Sequence, residues 1–163
     1  MSTCIDPANV SFLSPIGFQF QLHRAPHIQF FLQEINLPGL DLPPAQVGSP
    51  FVTIPVRGDH LQYQPLSLSF RVNENMSNWF EIYNWLTEIS APRSFAEYNA
   101  EGQEPDATLI VLNSNNRGNV QVSFYNLIPT GLGQILFDAT ASDVQYVSCQ
   151  AQFVYTTYKA EII

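Results

Sequence analysis

Charge is what this sequence has least of. Only 12% of its 163 residues are Asp, Glu, Lys or Arg, about half the usual share of a soluble domain. Lysine is nearly missing: Lys159 stands alone, and six basic residues face 14 acidic ones for a net charge of −8. Affinity for a phosphate backbone is built from Lys and Arg. None cluster here, which excludes a protein that grips nucleic acid. Long apolar runs are missing too, and none approaches the roughly 20 residues of a bilayer-spanning helix. Cysteine is scarce. Cys4 and Cys149 lie at opposite ends, and Cys149 falls on the apolar parity of a strand. The expectation is a buried free thiol in a reducing compartment. Met1 to Asp6 show no basic region leading into an apolar core, so no signal peptide is read. Asn9-Val10-Ser11 and Asn75-Met76-Ser77 are accordingly read as chance matches to the glycosylation sequon.

What replaces charge is amide: 13 Gln and 12 Asn. Hydrophobic residues make up 45%, too many for disorder, and the length suits one domain with a real core. A soluble monomer usually keeps a charged, mixed surface. The question is therefore what covers a surface of Gln, Asn, Ser and Thr.

Residues 1–16, with Pro7 and Pro15, read as an N-terminal arm, and 17–163 as a single domain. Gly17 to Arg24 alternates: Phe18, Phe20 and Leu22 point one way, Gln19, Gln21 and His23 the other, the mark of a half-buried strand. A second strand is expected from His27 to Asn36. Leu37 to Pro50 is rich in Pro and Gly and reads as a long ordered loop, extending to about residue 63. A short strand, Phe51 to Arg57, follows within it. Leu66 to Val72 alternates again. Trp79, Ile82, Tyr83, Leu86 and Ile89 recur at helical spacing after Ser77, a good cap, which predicts a helix over 77–90 with Trp85 flanking its core face. An acidic loop over 93–107 carries Glu97, Glu101, Glu104 and Asp106. Strands are expected at about 108–112, 119–126, 134–138 and 144–157. The Asn113–Gly118 stretch favours a tight turn. The sum is a mainly β, antiparallel barrel or sandwich of seven or eight strands with one helix.

No chemical motif rises above its bland alternative. His23 and His27 sit four apart, but Pro26 breaks the segment, so neither they nor His60 read as metal ligands. Gly131-Leu132-Gly133 lacks the strand-to-helix context of a nucleotide loop and reads as a turn. The acidic loop does not match a calcium pattern. No nucleophile elbow is present. The reading is no enzyme, with no catalytic, cofactor or metal residues.

The outward strand parities collect Gln19, Gln21, Ser67, Ser69, Gln121, Ser123, Gln150 and Gln152. Faces of this kind bury against copies of themselves without desolvating charge. They also line a channel without fixed charge. These eight are the candidates for a lumen or subunit face.

Two blocks carry a family resemblance. Leu66-Ser-Leu-Ser-Phe-Arg-Val-Asn-Glu-Asn-Met76 runs into the helix Trp79 to Leu86. Val120 to Asp138, containing Ile128-Pro129-Thr130, runs into a long last strand ending at Tyr158. Leu37-Pro38-Gly39 and Gly58-Asp59 sit in matching order, and Phe30 to Pro38 looks like the second strand and its exit. This ordered set resembles the tail tube proteins of contractile-tailed bacteriophages, and the type VI secretion inner tube is similar. The resemblance implies a homohexameric ring, stacked rings, an inner β-barrel and DNA passing through without specific binding. It implies a virion tail assembled in the host cytoplasm, with tail sheath and baseplate hub proteins as partners and no membrane insertion. It leaves open a tube subunit or a baseplate-proximal initiator ring. It makes the Leu37–Tyr63 segment the contact between rings, with Pro38, Gly39, Leu40, Pro43, Pro44, Phe51, Arg57 and Asp59 as candidates. A reading from another class also stays open: a carbohydrate-binding β-sandwich using exposed Tyr and Trp.

Overall fold

The computed structural model describes residues 11–48, 50–90, 105–140 and 146–163. The chain forms β1 (Phe18–Leu22), α1 (Pro26–Phe31) and β2 (Leu32–Ile35). An excursion of four short strands follows: β3 (Leu40–Asp41), β4 (Ala45–Gly48), β5 (Thr53–Val56) and β6 (Gln62–Tyr63). Then come β7 (Leu66–Arg71), α2 (Ser77–Ser90), β8 (Ala107–Leu112) and β9 (Gly118–Tyr125). The chain ends with β10 (Ile128–Leu132), β11 (Ser148–Val154) and β12 (Thr157–Ile162).

Eight of these strands build two antiparallel four-stranded sheets. One has the order β1-β8-β9-β12 and the other β10-β11-β7-β2. The alternation in the sequence is the cause. Phe20, Leu22, Leu109, Val122 and Phe124 from the first sheet and Leu66, Leu68, Phe70, Ala151 and Phe153 from the second all turn into one core. Their polar neighbours turn out. The mainly β antiparallel architecture matches the sequence reading.

Several elements correct that reading. A second helix, α1, replaces the first half of the strand expected from His27 to Asn36, and so the strand placed over Phe30 to Pro38. Pro26 occupies the first helical turn, where its missing N–H costs nothing. Glu81 accepts from both the His27 backbone N–H and the His27 imidazole. Ile28 is buried, and Leu32 packs on the same core four residues on. A 28/32 apolar pair fits helical and strand periods alike.

The strand expected over 144–157 is two strands in different sheets. Fourteen residues of straight strand would run about 46 Å. The chain instead turns at Tyr155-Thr156: Ser148–Val154 pairs with β7 and β10, and Thr157–Ile162 pairs with β9. The strand expected at 134–138 lies earlier, at Ile128–Leu132. Gly131, read as part of a turn, and Pro129 are tolerated there because β10 is an edge strand with an irregular register between them. Asp138 instead closes a local turn, accepting from Thr140 N at 2.8 Å and Thr140 Oγ1 at 2.6 Å. The Asn113–Gly118 turn is as expected, with Asn116 at φ 55° and Asn113 Oδ1 accepting from Asn115 N and Arg117 N.

The helix over 77–90 is present, but its buried face is Asn78, Ile82 and Trp85. Tyr83 and Ile89, expected inward, are substantially exposed. The fully buried Asn78 amide sets this rotation. Its Nδ2 donates to Arg71 O at 2.7 Å, and its Oδ1 accepts from Trp79 N at 3.0 Å and Asn73 N at 3.3 Å. Once Asn78 faces in, so does Trp85, whose ring meets Phe153 at 5.8 Å and carries the Arg24 guanidinium at 5.2 Å. Ser77 is the first helical residue, and its hydroxyl accepts from Asn73 Nδ2 at 2.6 Å. Residues 1–10 of the arm, the acidic loop apart from Asp106, and Cys4 lie outside the described residues. Asp106 Oδ2 accepts from Leu127 N at 2.8 Å.

Candidate assembly surfaces

The Leu37–Tyr63 excursion is a two-storey hairpin. At its base Leu40 pairs with Tyr63 and Asp41 with Gln62. At its tip Ala45 to Gly48 pair with Thr53 to Val56. Three tyrosines fasten the base to the domain. Tyr155 donates to Gln64 O at 2.9 Å and Tyr158 to Pro38 O at 3.4 Å, while the Tyr63 and Thr157 hydroxyls meet at 3.2 Å. The Tyr63 ring stands edge-on to those of Tyr155 and Tyr158, and Phe124 stands edge-on to Tyr155. Burial, then the neighbouring Tyr158 and Tyr63 phenols, push the Tyr155 pKa up to about 12. Between the storeys, Gly58 passes the Pro43 carbonyl so closely that a Cβ would lie 1.9 Å from its oxygen. Only glycine fits such an approach.

Above the waist the hairpin is apolar and uncovered. Val47, Phe51, Val52, Ile54 and Val56 are all exposed, Phe51 at 96%, as is Leu42 just below it. Of the ring-contact candidates, Gly39, Leu40, Pro43, Pro44, Phe51, Arg57 and Asp59 are exposed along this one hairpin, and Pro38 is buried at its base. An exposed apolar stretch of this kind marks an interaction surface.

The eight amide and hydroxyl candidates divide between two faces. On the first sheet the register lays Gln21, Thr108, Ser123 and Lys159 in one row and Gln19, Ile110, Gln121 and Glu161 in the next. On the second sheet Gly131, Gln152 and Ser67 form one row, and Gln150, Ser69 and Glu34 another. Gln19, Gln21, Gln150 and Gln152 are exposed, Ser67, Ser69 and Gln121 are half-buried, and Ser123 is buried. Each face holds four candidates, so they cannot all line one surface. Both faces offer donors and acceptors, with Lys159 and Glu161 as the charges in the first pair of rows and Glu34 in the second.

Sequence reasoning missed the tyrosine clamp, the Asn78 anchor and the glycine waist. The clamp has a partial signal in Tyr155 and Tyr158, three apart at the strand break. The Asn78 anchor binds backbone groups only a few residues upstream, at Arg71 and Asn73, which helical spacing of apolar residues does not register, and the glycine waist depends on the close approach of Gly58 to Pro43. Cys149 is buried as expected and donates to Gly133 O at 3.3 Å, and burial pushes its thiol pKa up. Among the described residues no group of three His, Cys, Asp or Glu side chains is placed to hold a metal ion.

No family model matches the chain. A curated relative, the tail tube terminator protein of enterobacteria phage T4, is 27% identical over 134 residues, covering 79% of this chain and 76% of the relative. The tube-terminating cap of the anti-feeding prophage superposes with a TM-score of 0.66 at 16% identity over 100% of both chains. The sheath/tube terminator of an extracellular contractile injection system gives 0.63 at 14% identity, covering 94% and 99%. Its sheath–tube complex gives 0.64 at 14%, covering 94% and 95%. By sequence over most of its length the chain is similar to a tail tube terminator protein, and along its whole length it shares the fold of tube and cap proteins of contractile injection systems.

Proposed function

We propose that this chain is a structural ring subunit that ends the tube of a contractile tail. Six copies form the ring, the ring stacks on the last tube ring, and DNA passes through its centre without being bound. The carrying observation is the likeness to a T4 tail tube terminator, joined to a full-length overlay on a tube-terminating cap. The surface chemistry supports it. Each sheet presents amides and hydroxyls, so copies can cover one face and the other can line a passage. With a net charge of −8, such a lumen repels phosphate and does not hold it. The Leu37–Tyr63 hairpin, stiffened by five prolines, is the contact to the adjoining ring, with Leu40, Pro43, Pro44, Phe51, Arg57 and Asp59 on it and Gly39 at its base. Stiffness fixed in advance lowers the ordering cost of assembly. The sheath is its further partner, the baseplate hub lying at the other end of the tube, the virion tail is its place, and it performs no catalysis.

The test is co-assembly with the tube subunit of the same tail. Six-fold rings alone, and tubes that shorten as this protein is added, are the expected micrographs. A strict monomer with no effect on tube length overturns the proposal. A second reading, the repeating tube subunit, draws on the overlay with a sheath–tube complex, at a TM-score of 0.64 against 0.66 for the cap. It predicts long tubes from this chain alone.

A further inference from the structure

The tip of the hairpin has two faces and two edges, and neither pair is alike. Residues directly opposite in an antiparallel pair share a face. The register therefore puts Ala45, Val47, Ile54 and Val56 on one face and Gln46, Gly48, Thr53 and Pro55 on the other. All eight are exposed. The tip is a two-stranded ribbon with one apolar and one polar face, and Leu42 to Val56 contains no charged residue.

The edges differ through one proline. Pro55 has no N–H, so the ladder cannot place a hydrogen-bonded pair there. The Gln46–Pro55 pair is of the other kind, and the inward bonds fall at Ala45–Val56 and Val47–Ile54. The backbone groups of Gln46 and Gly48 then point away from β5, and those of Thr53 and Pro55 point away from β4. On the β5 side the missing N–H blunts the edge, as proline does in natural sheets. On the β4 side no charge, proline or register shift lies between Ala45 and Gly48. Among the described residues no third strand pairs with either side.

Gly48 gives a second, independent sign. Glycine inside a strand weakens it and often marks the close approach of another backbone. The φ of Gly48 is not positive, and a Cβ there would meet nothing within 4 Å. Neither conformation nor packing within this chain calls for a glycine at 48. At Gly58 the chain itself fills the space; at Gly48 the space opens outward.

We propose that the β4 edge takes up an extended strand from the subunit of the adjoining tube ring, which becomes the third strand of the hairpin. This rests on the reading of the hairpin as the contact between rings and names how that contact is made. Main-chain bonds to Gln46 and Gly48 hold the strand, and its alternate side chains extend the apolar face. The added strand is uncharged where it meets the tip, because a charge covered there would lose its water without gaining a partner. The β4 edge of a second copy is not the occupant. Such a pair is two-fold and closes on two molecules, whereas rings stacked in one direction join unlike surfaces.

Amide exchange tests this on the protein alone and on its co-assembly with the tube subunit of the same tail. The Gln46 and Gly48 amides should be unprotected alone and slow by at least about tenfold on co-assembly, while Thr53 stays unchanged. Gln46→Pro removes one outward N–H and leaves the inward ladder whole. It should keep the melting curve and the protection of Val47, Ile54 and Val56, and weaken tube shortening at least about tenfold. Gln46→Ala, which keeps the N–H, and Thr53→Pro, which blocks only the β5 edge, should shorten tubes as the parent does. Equal effects of the two prolines, or a loss with Thr53→Pro alone, overturn the proposal. Protection of Gln46 and Gly48 in the protein alone would assign the edge to a second copy and overturn it too. Unprotected amides in a co-assembly that does shorten tubes would sink the strand addition while leaving the terminator reading standing. A parent that neither forms rings nor shortens tubes would sink both.

Discussion

The double sheet and the Leu37–Tyr63 hairpin are built from similar residues and face opposite environments. In β7 and β11 apolar and polar residues alternate, and the apolar set is nearly all buried. In β4 and β5 every residue is exposed, although Val47, Ile54 and Val56 are as apolar as anything in the core. The first region is stabilised by what it buries. The second is held by its base and waist alone, through three tyrosines and one glycine. Under the proposed ring contact, the burial of this uncovered apolar surface is reserved for a partner, and the same residue types that fold one region serve assembly in the other.

The sharpest way to break this contrast is in the core. Phe153 is fully buried and touches Trp85. Phe153→Ala should cost about 3–5 kcal/mol of global stability, from lost burial and the cavity left behind. Denaturant melts followed by tryptophan fluorescence would measure it. An unchanged midpoint would mean that the two sheets do not share one core.

Gly58→Ala comes next, and it acts on the hairpin alone. The new Cβ meets the Pro43 carbonyl, and relieving that clash should cost about 1–3 kcal/mol. Because the waist joins only the hairpin storeys, the loss should show as faster amide exchange over residues 40–63. Exchange in β7 and β11 should keep its protection. Loss spread evenly over both regions would mean that the hairpin folds as part of the core.

Much of this was legible before the structure, and the failures are informative. β1, β5, β7, β8 and β9 follow from alternation because one face of each is covered by the same chain, or, in β5, because turn formers bound it. α1 was missed because Ile28 and Leu32 satisfy two periods at once, and its choice is made by Glu81, 54 residues from His27. The break at Tyr155 was missed because a strand that changes sheets keeps its local pattern. Trp85 was set outside the core because helical spacing counts apolar residues and gives no weight to a buried Asn. The amide faces could be picked out residue by residue. Their division into two surfaces could not, since that depends on which strands pair.

The tyrosine clamp tests the joint between the two regions. Tyr155→Phe removes the bond to Gln64 O and should cost about 1 kcal/mol, felt mainly at the hairpin base. The effect is pH-dependent. The folded pKa, raised to about 12 from the ordinary 10, means that the folded state holds its proton where the unfolded chain has lost it. The clamp's contribution is therefore complete below pH 10 and is lost as pH rises from about 10 to about 12. Absorbance titration of the phenolate, run beside hairpin amide exchange, should show the two changing together in the parent and the exchange step missing in Tyr155→Phe. A parent hairpin that opens at the same pH with or without the hydroxyl would assign the joint to ring stacking.

Phe51→Ser should have the smallest effect on folding and separates the two regions most cleanly. Phe51 touches solvent over nearly its whole surface, so its loss should change the stability of the isolated chain by no more than about 0.5 kcal/mol. In the core the same deletion of a ring is among the most damaging changes available. If the hairpin's apolar surface is reserved for a neighbouring ring, Phe51→Ser should leave the melting curve in place while weakening the stacking of rings on tubes. Buried aromatics carry a large share of the energy at contacts of this kind. A variant that stacks as well as the parent would move the contact to another part of the hairpin. One that melts early would show that Phe51 serves the fold, and the contrast between the two regions would fail at its most exposed residue.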